Sequence, residues 1–276
     1  MTRGNFFDLL QARWDRGTAV CVGLDADYKK IPEHLKKGDV RDALFAFNTA
    51  IIDATAEYVC AFKPQSAYYE ACGPEGIATL LDIVGYVQGK YPDIPLILDA
   101  KRGDIGSTND GYVKAAFEVG GFDAITLHPY LGKEALKPFL DQEDKGCIIL
   151  CRTSNPGAGE FQDLVVDESP LYLHVARRVA DEWNTNGNCA VVVGATYPEE
   201  LAHVRGVIGD MPILIPGIGA QGGDIEKTVH AGKNSKGQGM IINSSRGIIF
   251  ASQGEGFAEA ASLEAKKLRD AINQYR

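Results

Sequence analysis

The chain has 276 residues, 45% hydrophobic and 24% charged, with a net charge of −9 at pH 7. That is the composition of a soluble protein with ample core. The acidic balance argues against a general binder of nucleic acid or anionic membrane, so an anionic substrate has to be captured by local positive groups.

The first seventeen residues contain no uninterrupted apolar run, and no later run is long enough to span a bilayer. The cytoplasm is therefore the expected compartment. A short helix over 6–16 is expected to cap the base of the fold. Eight apolar, β-rich runs then follow in order: 19–25, 58–63, 94–101, 122–128, 146–153, 189–195, 212–218 and 239–245. Segments with helical spacing lie between and after them, among them 40–57, 75–91, 109–120, 170–186 and 257–275. Alternating strands and helices build a parallel sheet with crossover helices. Strands covered on both faces read as continuous apolar runs, as these do. Eight such units predict one (β/α)8 TIM barrel over residues 1–276, a size that such a barrel commonly reaches as a single domain. The first strand ends in Gly23-Leu24-Asp25 with no GxGxxG after it, so a dinucleotide fold has little support.

The six cysteines are Cys21, Cys60, Cys72, Cys147, Cys151 and Cys189; five lie in apolar runs, which suits reduced, buried thiols. No CxxC or spaced His/Cys set reads as a zinc site. His128 ends the fourth run and is read as shaping its loop with Pro129 and Tyr130. His34, His174, His203 and His230 are expected to face solvent.

The most informative stretch is LILDAKRGDIGST, residues 96–108. Residues two apart in a strand share a face, so Asp99 and Lys101 are predicted to point the same way. Gly103 and Gly106 then open a turn. Opposite charges are thus set at a strand's carboxyl end, where α/β barrels place their chemistry. Lys63, at the end of the second run, extends them to a Lys-Asp-Lys-Asp chain with Asp104. Alternating signs favour the charged form of every member. Protonated lysines suit a general acid better than a Schiff-base nucleophile. Asp104 and Thr108 are four apart and share a face if a helix starts there. Pro216–Gly223 close and follow the seventh run, with Gly219 and Gln221 among them; Asn243-Ser244-Ser245-Arg246-Gly247 close and follow the eighth. Barrels often bind phosphate at these two loops. Glycines let backbone N–H groups approach the anion, and Arg246 can grip two oxygens. Asp25, Gln65 and Ser154 complete a charged cup at the strand ends.

These motifs resemble the orotidine 5′-phosphate decarboxylase family. Its Asp-x-Lys-x-x-Asp signature stands as Asp99-Ala100-Lys101-Arg102-Gly103-Asp104. VGLD (22–25), FKPQ (62–65), TSNPGA (153–158), PGIGAQGGD (216–224) and NSSRGI (243–248) extend the likeness over nearly the whole chain, and the length and loops look like the longer type 2 branch. The resemblance implies decarboxylation of orotidine 5′-phosphate to UMP without a metal or organic cofactor. It implies Lys101 as proton donor to C6 of the pyrimidine, Asp99 near the departing carboxylate, and Lys63 and Asp104 in the same charged chain. Ser154 would address the pyrimidine edge, assisted by Thr153 and Asn155. Gln221 would bridge phosphate and base, Asp25 would bind the ribose, and Gln65 stands where related chains often have Asn. Asp104 and Thr108 would reach into a neighbouring subunit's site, which implies a homodimer with shared active sites. Two other readings remain at this point: a metal-dependent sugar-phosphate lyase of the same superfamily, and a non-catalytic nucleotide-binding barrel.

Overall fold

In the structure, a computed structural model, residues 4–218 and 224–276 are described. Each of the eight apolar runs supplies one strand: β1 (Val20–Gly23), β2 (Val59–Lys63), β3 (Ile97–Arg102), β4 (Ala124–Leu127), β5 (Gly146–Arg152), β6 (Cys189–Val193), β7 (Ile213–Pro216) and β8 (Met240–Ser244). The hydrogen-bonded order is β2-β1-β8-β7-β6-β5-β4-β3, and every pair is parallel. The two ends of that order meet through parallel bridges, Phe62 to Leu96 and Gln65 to Asp99. The Phe62 N–H donates to the Pro95 carbonyl at 3.1 Å, and the Asp99 N–H to the Pro64 carbonyl at 3.0 Å. The sheet thereby closes into the expected (β/α)8 barrel. Closure removes the free edges that an open sheet must protect.

The strands are buried along almost their whole length because helices cover the outer face and side chains fill the interior. The N-terminal helix, Phe6–Asp15, seals the amino-terminal ends of the strands. Phe6 is fully buried and packs where a side chain on Gly146, the first residue of β5, would collide with its ring. Trp14 donates from its indole N–H to the carbonyl of Met240, the first residue of β8, at 2.8 Å. The opposite, carboxyl-terminal mouth is left open for chemistry.

The helices start and stop near their expected limits, with two differences. The expected helix over 109–120 begins earlier, at Gly106, and its last turns widen into a π-helix over Lys114–Val119, with the Gly120 N–H donating to Ala115 O five residues back. The helix Leu171–Arg178 widens in the same way over Val179–Trp183. Between β5 and that helix lies a feature with no counterpart in the sequence reading. Val165–Val166 pairs with Ser169–Pro170 in an antiparallel hairpin, turned by Asp167 and Glu168, both at positive φ. Two such residues make the tight turn whose twist suits a hairpin. All six cysteines are free; only Cys72 is not buried. His203 and His230 are exposed as expected, whereas His34 and His174 are half-buried.

Candidate active site

The centre of the mouth is built by an irregularity in β3. Its register with β4 runs Ile97–Ala124 and Leu98–Ile125, then resumes at Arg102–Leu127. Residues 99 to 101 therefore stand opposite Thr126 alone. Lys101 takes up the extra length with a left-handed backbone, φ 47°, a conformation uncommon outside glycine. Asp99 and Lys101 do meet, as strand alternation predicted, but a bulge brings them together rather than a regular pleat.

The Asp99 carboxylate is the hub. Its Oδ2 accepts from the Lys63 ammonium at 2.8 Å, and its Oδ1 from Lys101 at 2.6 Å and from the Thr126 hydroxyl at 2.9 Å. Lys63 is almost wholly buried, while the Lys101 side chain is 45% exposed. Burial alone would push the Asp99 carboxyl up, but Lys63 and Lys101 outweigh it and hold the group well below the usual carboxylate range. For Lys63, burial works against the charge. Asp99 first, then Asp25, overcome it and hold the ammonium above the ordinary lysine range. The result is a fixed negative charge between two lysines, one sealed in and one facing open space.

That space is a cavity of about 680 Å³ lined by Asp25, Lys63, Gln65, Asp99, Lys101, Ser154 and Arg246, among others. These seven residues were selected from the sequence, and Thr153 and Asn155, expected beside Ser154, line the same cavity. Asp25 brings a buried carboxylate oxygen, Oδ1, with no hydrogen-bond partner among the described residues, so it can accept from a ligand hydroxyl. Gln65 is partly committed elsewhere: its Oε1 accepts from the Ala67 N–H at 3.0 Å and caps the helix Ser66–Glu70. Its amide NH2 is the group left to offer.

Ser154 is seated by close packing. A side chain on Gly194, just after β6, would place its Cβ 2.6 Å from the Cβ of Ser154. The loop is also tied to its own far side, for the Thr153 N–H donates to Gln162 Oε1 at 2.8 Å. Beneath it, buried Arg152 binds Asp163 from Nη2 at 3.0 Å, donates from Nη1 to the Thr153 carbonyl at 2.6 Å and lies 4.3 Å from the centre of the Tyr197 ring. His128 meets the turn after β3: Gly103 packs so closely on it that a Cβ there would lie 2.9 Å from His128 Nε2.

At the other end, Gly217, Ser244 and Ser245 line the same cavity as Arg246. The Arg246 side chain makes no ion pair or hydrogen bond with the described residues and is exposed to the cavity, so its guanidinium is available to an anion. Gly219 and Gln221 lie outside the described residues. Asp104 and Thr108 are absent from the cavity wall of their own chain. Asp104 Oδ1 accepts from the Ile105 N–H at 2.7 Å, and Thr108 is exposed.

Three polar cavity residues were not singled out from sequence: Thr126, Tyr68 and Gln162. Thr126 left a trace, as a hydroxyl inside the apolar run of β4. Arg152 left another, as a charge inside that of β5.

A family model described as "Orotidine 5′-phosphate decarboxylase / HUMPS family" matches residues 18–261. This chain belongs to that family. A protein of Janthinobacterium sp. (strain Marseille) named orotidine 5′-phosphate decarboxylase is 54% identical over 271 residues, 98% of each chain. One of the same name from Azoarcus sp. (strain BH72) is 52% identical over 273 residues, covering 99% of this chain and all of that one. Among solved structures, Leishmania donovani OMP decarboxylase superposes with a TM-score of 0.82 at 38% identity, covering 96% of this chain and 99% of the other. Leishmania donovani UMP synthase gives 0.88 at 41% identity; there this chain is 99% covered but corresponds to 56% of the larger protein. The decarboxylase family and the barrel expected from sequence both stand.

Proposed function

We propose that this protein decarboxylates orotidine 5′-phosphate to UMP in pyrimidine synthesis. The observation that carries this reading is the Lys63–Asp99–Lys101 cluster facing a cavity that Arg246 also lines. Arg246 and the backbone around Gly217 take the phosphate, Asp25 and Gln65 the ribose, and Ser154 the pyrimidine edge. This orientation leaves C6 at Lys101. The bond between C6 and the carboxylate breaks, CO2 leaves, and the electron pair stays on C6 in the ring plane. The Lys101 ammonium transfers a proton to that carbon, giving UMP and a neutral amine that regains its proton from water. A positive group already fixed where negative charge develops stabilises the transition state without reorganisation. Asp99 holds Lys101 there, and buried Lys63 keeps Asp99 ionised.

The site is completed by a second copy of the chain. Asp104 and Thr108 do not line their own cavity, and exposed apolar side chains surround the carboxyl ends of β3 and β4, with Ile105 60% and Tyr130 89% exposed. Such groups suit burial against a partner. We therefore assign a homodimer in which Asp104 and Thr108 approach the partner's cavity. The chain acts as one domain, since β1 and β8 from its two ends pair directly. Among the described residues no helix is long and apolar enough to cross a membrane, and the cytoplasm fits a nucleotide substrate.

The purified protein should consume orotidine 5′-phosphate, seen as its loss of absorbance, with and without EDTA. Full activity in EDTA separates this reading from a metal-dependent sugar-phosphate lyase. Among the described residues no three His, Cys, Asp or Glu are grouped to hold a metal ion. No turnover at all would leave the non-catalytic barrel.

A further inference from the structure

We propose that Thr126 is a positioning residue for the proton donor. It rests on the reading of Lys101 as that donor. The bulge in β3 sets residues 99–101 against a single residue of β4 and so takes the Lys101 N–H out of the strand ladder. A backbone donor taken out of its ladder needs another partner. Here the partner is a side chain: the Lys101 N–H donates to Thr126 Oγ1 at 3.0 Å. The hydroxyl's own proton then goes to Asp99 Oδ1 at 2.9 Å, because an ionised carboxylate can only accept. One oxygen thus fixes both the left-handed backbone of Lys101 and the carboxylate that holds its ammonium.

Three facts make the arrangement specific. Thr126 is buried to within 1% of its surface, so water cannot readily take its place. Lys101 is a lysine at positive φ, a conformation that persists only where its surroundings hold it. The remaining Asp99 oxygen, Oδ2, is already engaged by Lys63 at 2.8 Å, so Asp99 Oδ1 alone is shared between Thr126 and Lys101. Without the hydroxyl, the backbone at Lys101 loses its anchor and the ammonium loses its alignment with C6. Displacement of a reacting group by about 1 Å can cost on the order of 100-fold in rate. Thr126 is assigned no contact with substrate, so the loss should fall on kcat.

Thr126→Ser, Thr126→Ala and Thr126→Val are compared, with Lys101→Ala in parallel. Serine and alanine differ by the one oxygen at issue, and valine keeps the shape. Folding is checked by circular dichroism and thermal melting. The serine variant should keep kcat within threefold of wild type. The alanine and valine variants should lose at least tenfold in kcat, with KM changed less than threefold. Equal kcat in the serine and alanine variants would overturn the proposal, as would a loss confined to KM. If Lys101→Ala retained activity within tenfold of wild type, the underlying assignment of the donor would fall instead. A dead Lys101→Ala beside a fully active Thr126→Ala would reject Thr126 alone.

Discussion

Lys63 and Asp99 form a buried ion pair, 2.8 Å long, with both side chains almost closed to solvent. The pair links the end of β2 to β3 across the point where the barrel closes. Removing one member of a buried pair leaves the other uncompensated, at a cost of about 3–5 kcal/mol. The two groups give opposite pH signs. Asp99 is depressed on folding, so its contribution is present above its unfolded value, about 3.9, and is lost as pH falls through the lower folded value. Lys63 is raised, so its contribution is complete below about pH 10.4 and is lost only as pH rises through the folded value above that. Urea unfolding of wild type and Asp99→Asn should therefore differ by a constant amount from about pH 5 to 9. Below about pH 3.9 the gap should narrow by roughly 1.4 kcal/mol per pH unit, as wild-type Asp99 takes up a proton on unfolding. A gap that is unchanged at pH 3 would mean Asp99 is not held ionised by its lysines.

Lys101→Ala should abolish turnover while leaving the barrel folded, since half of the Lys101 side chain faces the cavity rather than the core. Loss of one preorganised electrostatic group costs on the order of 10²–10³ in rate. A larger loss is expected here because the proton source goes too. Single-turnover assays of the purified variant give the comparison, and activity within tenfold of wild type would reject Lys101 as the acid.

Arg246→Ala should damage chemistry as well as binding. The phosphate is remote from C6, yet its binding energy can order the loops around the base. The Arg246 side chain has no hydrogen-bond or ion-pair partner among the described residues, so its removal should leave the melting temperature nearly unchanged. The fall in kcat/KM for orotidine 5′-phosphate should exceed tenfold. A smaller loss would place the phosphate elsewhere.

The barrel was legible because each strand carries its own continuous apolar run, and the charges at Lys63, Asp99 and Lys101 stood at the ends of two of them. What the runs did not reveal is the bulge. Strand alternation puts Asp99 and Lys101 on one face without it, so nothing in the pattern demanded the left-handed Lys101 or a hydroxyl at Thr126 to hold it. The commitment of Gln65 Oε1 to the Ala67 N–H was hidden for a related reason. Whether a polar residue after a strand faces a ligand or caps the next helix depends on where that helix begins. Arg152 was overlooked because an arginine in a strand run looks like the end of the strand. Its partners Asp163 and Tyr197 lie on separate segments that only folding brings together.

The shared site is tested by mixing. Lys101→Ala and Asp104→Ala are each expected to be nearly inactive, and each should keep its fold, because neither side chain is buried. When the two are combined under conditions of subunit exchange, a mixed dimer has one cavity with both defects. Its other cavity joins an intact Lys101 from one chain to an intact Asp104 from the partner. Random exchange at equal amounts makes about half the dimers mixed, each with one good site of two, so activity should return to roughly a quarter of wild type. If Asp104 instead served the cavity of its own chain, every site would keep one defect and nothing would return. Exchange is followed independently with differently tagged subunits. A mixture that exchanges fully and stays inactive would show that Asp104 does not act across a dimer interface.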